Sequence, residues 1–189
     1  RVGNDLTALT QHEAWFGAGR DHGRFALVTV GVGVGYGLVV DGGVITSPDA
    51  ELGLLGTIPV PDGARPPVAS PAMDCLTDTA LERAWTAAGG GPMRAEAIVR
   101  RSADGDRAAV AVCASFARRL GRLIGMLAAF TLPEVVVVAG ERAAVASLFE
   151  EQVMVGIAAV RRASARSPTI AVREHERVDW ARGAACLAL

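Results

Sequence analysis

Short runs rich in β-branched residues alternate along the chain with longer runs of helical periodicity. The first three short runs lie close together, at positions 25–30, 36–40 and 44–45, with glycines between them. Such runs joined by glycine-rich turns predict a three-stranded antiparallel meander. Ahead of it, Asn4 or Asp5 precedes apolar residues at helical spacing, which predicts a capped amphipathic helix ending near position 17.

A proline-rich segment separates the predicted meander from the mainly helical remainder of the chain. Frequent prolines between positions 47 and 71 predict an irregular crossing segment, because proline cannot donate a hydrogen bond to a strand ladder. A meander followed by alternating helices and strands predicts an α/β fold in which helices cover a mixed sheet. Beyond the prolines, helical patterns occur at 75–88, 94–101, 104–130, 140–163 and 180–189, and strand patterns at 135–139 and 169–172.

Composition narrows the possible functions. The 189 residues are 51% hydrophobic, and 19 basic against 20 acidic residues give a net charge of -1. A nearly neutral chain lacks the positive surface that holds nucleic acid, so we expect any contact with DNA to come from a domain missing from this chain. All the basic residues are arginines, which excludes a lysine general base or Schiff base. No apolar run is long enough to predict a membrane span.

The cysteines and histidines indicate no metal centre. Cys75, Cys113 and Cys186 lie far apart and form no Cys-x-x-Cys pair, and the three histidines are scattered. This spacing supports neither a disulfide framework nor a zinc site, and free thiols are typical of the cytoplasm. The sequence therefore predicts a cytoplasmic protein without zinc or another bound metal.

Asn4 and Asp5 are the first candidates for chemistry. A carboxylate at the start of a helix can take a proton from a substrate hydroxyl while the neighbouring amide hydrogen-bonds the same ligand. Asn and Asp are also the residues preferred at a helix N-cap. Capping and catalysis both remain open for this pair.

The second candidate is the glycine-rich segment at positions 31–37. Its glycines are Gly31, Gly33, Gly35 and Gly37. Closely spaced glycines allow backbone N–H groups to approach a phosphate, although they also occur in flexible or close-packed turns. The segment joins two predicted strands, so it is not the dinucleotide fingerprint, which passes from a strand into a helix.

Taken in order, four segments resemble the ROK family of sugar kinases and sugar-responsive repressors. They lie at 2–8, 25–43, 133–140 and 182–185. They resemble the family's E-N-D-x-x-A segment, its glycine hairpin, its N-P-e-v-i-v-l-G-G segment and its closing G-A-a. The resemblance covers nearly the whole chain and implies an actin-like lobe related to ribonuclease H.

The same resemblance assigns roles to the candidate residues. It implies that Asp5 is the catalytic base, if the protein is active, and that Asn4 is its sugar-contacting neighbour. The four hairpin glycines would cradle the phosphates of ATP, and Gly140 would lie near the nucleotide base. We interpret positions 1–189 as a single C-terminal lobe, with an upstream lobe absent from this chain.

Several family positions carry other residues here. Where the family has G-E-x-G-H, this chain has Gly53 to Thr57, so Leu54 replaces the sugar-binding Glu and Thr57 the His. Glu51 is the nearest acid and remains a candidate ligand-binding residue. Cys75 alone remains of the cysteine-rich zinc segment, and one thiolate cannot build a tetrahedral site.

Two further departures affect the phosphate hairpin. Val32 replaces the family's threonine and removes a hydroxyl donor. Glu141 follows Gly140, and its charge would oppose a nearby phosphate. Both changes disfavour efficient phosphoryl transfer.

The leading hypothesis is therefore a ligand-sensing and oligomerisation lobe of a ROK-type transcriptional regulator. Its expected partners are a sugar or sugar phosphate and further copies of the same chain, as a homodimer or higher oligomer. The alternative is a lobe of an ATP-dependent sugar kinase with an unusual sugar site, and ATP and Mg²⁺ would belong to the protein only in that case. A scaffold that only dimerises is the third possibility.

Overall fold

The computed structural model describes residues 4–49, 53–64, 67–174 and 177–186. Its strands are β1 (Arg24–Val30), β2 (Val34–Val40), β3 (Gly43–Val44), β4 (Pro59–Pro61), β5 (Ala69–Pro71), β6 (Val135–Ala139) and β7 (Thr169–Val172). Its helices are α1 (Asp5–Phe16), α2 (Ala72–Cys75), α3 (Asp78–Ala87), α4 (Ala95–Ala103), α5 (Arg107–Thr131), α6 (Ala144–Leu148), α7 (Glu150–Ala158) and α8 (Arg177–Cys186). A 3-10 turn spans Leu54–Thr57.

The main sheet has five strands in the order β3-β2-β1-β6-β7. The meander β1-β2-β3 is antiparallel, whereas β6 runs parallel to both β1 and β7. In the central pairing Phe25 lies beside Val135 and Thr29 beside Ala139. The predicted α/β fold with a mixed sheet is thus confirmed.

Helices cover both faces of this sheet. Phe25 and Leu27 of β1 pack with Leu9 of α1 on one face. On the other, Ala26 and Val28 belong to a larger core built mainly with α3, α4, α5 and α7. Successive side chains of a strand point to opposite faces, so a central strand covered on both sides has no polar face. This explains why β1 and β6 are almost continuously apolar.

Three predicted boundaries were wrong. The helix predicted at 75–88 begins only at Asp78, as α3, because Leu76 leaves the helical conformation after the short α2 and Thr77 caps α3. The helix predicted at 140–163 is likewise divided into α6 and α7 at Phe149. Within the segment predicted to be irregular, β4 and β5 form a ladder of three residue pairs.

No helix in the described part of the chain is both long and apolar enough to cross a membrane. The longest, α5, carries Arg118, Arg119 and Arg122 in its middle.

The cap of α3 provides a stability prediction. Thr77 is buried, and its hydroxyl oxygen accepts a hydrogen bond from the Ala80 amide and donates one to the Met73 carbonyl. We expect Thr77→Ala to lower the free energy of unfolding by about 1–2 kcal/mol, because it removes the cap and leaves a buried amide without its partner. Urea denaturation checks this. Thr77→Ser retains the hydroxyl, so an equal loss in both variants would contradict the capping argument.

Candidate functional site

The candidate site lies where two parallel strands end. Gly31 follows β1 and Gly140 follows β6, and these strands are neighbours in the sheet. Ligands of open α/β sheets bind outside the carboxyl ends of such strands. The segment after β1 turns back into β2 as a hairpin, and the segment after β6 leads to α6.

A cavity of about 300 Å³ opens at this edge. It brings together four of the predicted site residues, Asp5, Gly33, Gly35 and Gly140. Its other lining residues are Leu6, Thr29, Val32, Val34, Glu141 and Trp180. The start of α1, the hairpin and the segment after β6 therefore meet around one space.

Asn4 caps α1 as the sequence predicts. Its side-chain oxygen accepts the amide hydrogen of Leu6 at 2.8 Å, and Asp5 Oδ1 lies at the same distance from that amide. Asp5 is exposed and lines the cavity. A capping contact is thus compatible with a carboxylate that faces a ligand.

The hairpin is anchored at its first glycine. The Asp78 amide donates to the Gly31 carbonyl at 2.7 Å, and Gly31 pairs with Thr77 in an isolated bridge. The turn itself is short, because β2 already begins at Val34. These contacts hold the base of the hairpin against the first turn of α3.

Two of the hairpin glycines serve close packing. A Cβ atom on Gly35 would collide with Leu6 and with Thr29. A Cβ atom on Gly37 would collide with Thr10 of α1, and Gly37 does not line the cavity. The absence of side chains allows β2 to lie directly against α1, which also places Asp5 beside the hairpin.

The carboxylate of Glu141, two residues after β6, lies against the hairpin. Glu141 Oε2 accepts the amide hydrogen of Val32 at 3.4 Å, and a Cβ atom on Gly31 would collide with the same carboxylate. A phosphate cradle needs free N–H groups and a positive local potential. Glu141 places a negative charge beside the Val32 amide instead.

The two positions that align with the family's sugar-binding Glu and His also lack those groups. Thr57 donates its hydroxyl to the Leu54 carbonyl at 2.8 Å, within the 3-10 turn. Leu54 is 51% exposed and has no polar side-chain atom. Glu51, the acid proposed as a substitute, lies outside the described residues. Leu54 and Thr57 thus leave the two positions without the carboxylate and imidazole of the family motif.

An ion pair next to the hairpin was not predicted from the sequence. Arg142 Nε lies 2.7 Å from Asp78 Oδ1, with side-chain exposures of 12% and 25%. The Arg142 amide also donates to the Val30 carbonyl. The pair therefore ties the segment after β6 to the helix that anchors Gly31.

Trp180 and Glu174 are further residues that sequence reasoning missed. Trp180 lines the cavity beside Asp5 and also a neighbouring one of about 240 Å³, which Glu174 shares. Glu174 follows β7, the third parallel strand. Glu174 could have been identified as a site residue from its position two residues after a predicted strand, because the carboxyl ends of parallel strands lie at one edge of a sheet.

The remnant of the zinc segment holds an ordinary buried thiol. Cys75 Sγ donates weakly to the Ser70 carbonyl at 3.9 Å, and burial raises the pKa of this thiol. Within the described ranges no three His, Cys, Asp or Glu side chains lie close enough together to hold a metal ion. The absence of zinc remains a prediction.

Comparison with solved structures gives the fold family. The chain superposes on the ROK hexokinase from Thermus thermophilus with a TM-score of 0.82 at 24% identity, over 97% of this chain and 65% of the hexokinase. It superposes equally well on a ROK family transcriptional regulator described as a homologue of the E. coli MLC protein, with a TM-score of 0.81 at 24% identity, over 97% of this chain and 50% of the regulator. The fold is that of the actin-like ATPases.

Sequence comparison leads to the same family. A segment of 53 residues is 45% identical to the glucokinase of Thermotoga maritima, over 26% of this chain and 17% of the glucokinase. The chain thus spans only part of each of these relatives. The ROK family model matches residues 1–189. The chain belongs to the ROK family.

Proposed function

We propose that this chain is the ligand-sensing and oligomerisation lobe of a ROK-type transcriptional regulator. In this proposal a small sugar-like ligand binds in the cavity beside Asn4 and Asp5, and DNA is bound by another domain. The contact between Glu141 and the hairpin carries the proposal, because it disfavours the nucleotide phosphates that a kinase must hold.

The chemistry of phosphoryl transfer explains why this contact matters. Catalysis of that reaction depends almost entirely on positioning and on stabilising negative charge. A carboxylate beside the Val32 amide removes a donor and adds repulsion. Leu54 and Thr57 further remove two polar contacts to an acceptor sugar, and each lost contact costs about 1–3 kcal/mol.

Subunit association is proposed for the helical layer. Phe130 and Leu132, at the end of α5, are 86% and 64% exposed. Large apolar side chains at the surface favour burial against a second copy. A homodimer or higher oligomer would bury them.

The alternative function is that of a sugar kinase lobe. The observation that favours it is the position of Asp5, which lines the same cavity as Gly33 and Gly140. In that case ATP and Mg²⁺ would be bound, with Asp5 as the base that takes the proton of a sugar hydroxyl. Both functions place the ligand in the same cavity, so the presence or absence of ATP-dependent sugar phosphorylation distinguishes them.

Neutralising Glu141 tests the proposal. We expect the full-length protein to show no ATP-dependent phosphorylation of glucose, and Glu141→Gln to bind a non-hydrolysable ATP analogue about tenfold more tightly than wild type, because one repulsive charge is gone. Calorimetry with the analogue and a coupled kinase assay measure the two quantities.

The matched control is Glu151→Gln, an equal change of charge at an exposed position of α7. It should leave nucleotide affinity unchanged. Rapid turnover by the wild-type protein would refute the regulator function and establish the kinase alternative.

A further inference from the structure

Three arginines, Arg118, Arg119 and Arg122, lie on successive turns of α5. Arg118 donates to the side-chain oxygen of Gln152 at 2.6 Å, which is a neutral partner. No carboxylate of the described residues forms an ion pair with any of the three. Charged side chains inside proteins are almost always paired, because an unpaired charge is poorly solvated there. We call these residues the arginine cluster, and its positive charge has no counterion among them.

Arg122 is the most deeply buried member of the arginine cluster. Only 8% of it is exposed, and its guanidinium lies directly against the backbone of Gly63, where a Cβ atom would collide with it. Its Nη1 atom is buried and has no hydrogen-bond partner in the described part of the chain. Burial lowers the pKa of Arg122, as does the positive charge of Arg118, but arginine stays protonated in proteins. The helix therefore carries a buried charge with an unused donor.

Asp62 offsets the charge of Arg122 only in part. The Asp62 charge raises the pKa of Arg122, but the two side chains form no ion pair. Asp62 Oδ1 instead accepts the amide hydrogens of Ala64 at 2.8 Å and of Val68 at 3.1 Å, within the loop between β4 and β5. An uncompensated buried charge strongly destabilises a fold, and a buried donor without a partner often marks the place of an ion or a water molecule. A further anion is expected beside this cluster.

Arg119 connects the arginine cluster to a small cavity. The cavity has a volume of about 100 Å³ and lies between α2, α3 and α5. Its polar lining consists of Arg119, Asp74, Cys75 and Ser115, and its other lining residues are apolar. The Nε atom of Arg119 is buried and makes no hydrogen bond to a described residue. A space equal to about three water molecules admits one small ion, whereas larger ligands bind in cavities of roughly 300 Å³ or more.

The charges around this cavity favour an anion. Asp74 lines it but is exposed, so water screens its carboxylate. Burial raises the pKa of the Cys75 thiol, which therefore stays neutral near pH 7. Arg83 donates to the Asp74 carbonyl at 2.8 Å and adds another positive charge nearby. Arg122 lies one turn further along α5 and is shielded from water, so its charge acts mainly through protein and is weakly screened.

We propose that this cavity binds a small tetrahedral oxyanion, such as inorganic phosphate or sulfate, which contacts the Arg119 guanidinium and is attracted by the charge of Arg122. Guanidinium groups match the geometry of such oxygens and form charge-assisted hydrogen bonds with them. The site shares no lining residue with the cavity beside Asp5. It is independent of the proposed function, and a bound ion would join α2 to α5.

Equilibrium dialysis of the full-length protein against radiolabelled inorganic phosphate tests this site, with chloride used to hold the ionic strength constant. We expect saturable binding of one phosphate per chain. Sulfate should compete with phosphate, whereas glucose 6-phosphate should not, because the cavity is too small for it. Arg119→Met should weaken phosphate affinity at least about tenfold, and Arg122→Met about fivefold, because Arg122 acts only through its charge.

Two further variants separate a binding site from a structural role of the arginines. Asp74→Asn should strengthen phosphate affinity about twofold to threefold, because it removes the opposing charge from the lining. Arg107→Met is the matched control, since Arg107 is exposed in the first turn of the same helix. It should leave phosphate affinity unchanged.

The outcomes that would overturn the inference are distinct. They are an absence of saturable binding, equal affinity in the wild type and Arg119→Met, and competition by glucose 6-phosphate as strong as that by sulfate. If Arg122→Met does not fold, Asp74→Asn decides, because its position is exposed and unchanged or weaker affinity there would contradict the site. The kinase assay of the proposed function is separate and does not depend on any of these results.

Discussion

Gly121→Ala is expected to destabilise the protein, although alanine is the better helix former. The change lies inside α5, where alanine in place of glycine would normally gain about 1 kcal/mol. Here a Cβ atom would collide with the carbonyl oxygen of Val153 in α7. The Cα atom of Gly156, also in α7, lies against the same face of Gly121. The two helices must move apart, and we expect a net loss of about 2–3 kcal/mol.

Thermal denaturation measures this loss as a fall in Tm of about 4–10 °C. Gly91→Ala is the matched control, because a Cβ atom at Gly91 meets nothing within 4 Å. It should change Tm little. A gain in stability for Gly121→Ala would show that α5 and α7 separate easily and would contradict the close backbone contact.

Breaking the Asp78–Arg142 ion pair is expected to have the second-largest effect. The pair is mostly buried, so removing one partner leaves a charge poorly solvated. We expect Arg142→Met to cost about 2–3 kcal/mol in the free energy of unfolding, somewhat less than for a fully buried pair. Because the pair ties the segment after β6 to the helix that anchors Gly31, ligand affinity in the cavity beside Asp5 should fall as well.

A double-mutant cycle with Asp78→Asn measures the interaction energy of the two side chains apart from their contacts with other residues. The exposed pair of Glu96 and Arg100 on α4 is the control, because it has the same charges at 2.9 Å with side-chain exposures above 60%. Arg100→Met should cost no more than about 0.5 kcal/mol. Equal losses at both pairs would show that burial of Arg142 is unimportant.

The five strands of the main sheet could be predicted closely from the sequence, whereas β4, β5 and some helix boundaries could not. β6 is apolar on both faces because helices cover both sides of the sheet, and that pattern is visible in five successive residues. The breaks at Leu76 and Phe149 lack proline or glycine, the residues that ordinarily mark a helix end. Beside the first break, Thr77 pairs with Gly31, a contact between segments that are distant in sequence.

Part of the candidate site could likewise be predicted from the sequence. Asp5, Gly33 and Gly140 could be identified because each belongs to a sequence motif, and all three line one cavity in the structure. The opposing charge of Glu141 was also predictable, but its contact with the Val32 amide depends on how β6 ends beside β1. Trp180 carries no motif, and only the packing of α8 brings it to the cavity.

The pairing of β1 with β6 also determines the order in which the cavity can form during folding. The hairpin of β1 and β2 joins neighbouring segments, whereas Phe25 and Val135 are about 110 residues apart in sequence. Contacts of such separation form late, because the entropy of closing the loop must be overcome first. The hairpin can therefore assemble locally, but Glu141 reaches it only when β6 has joined the sheet. During synthesis the ligand site would be completed only after most of this chain has left the ribosome.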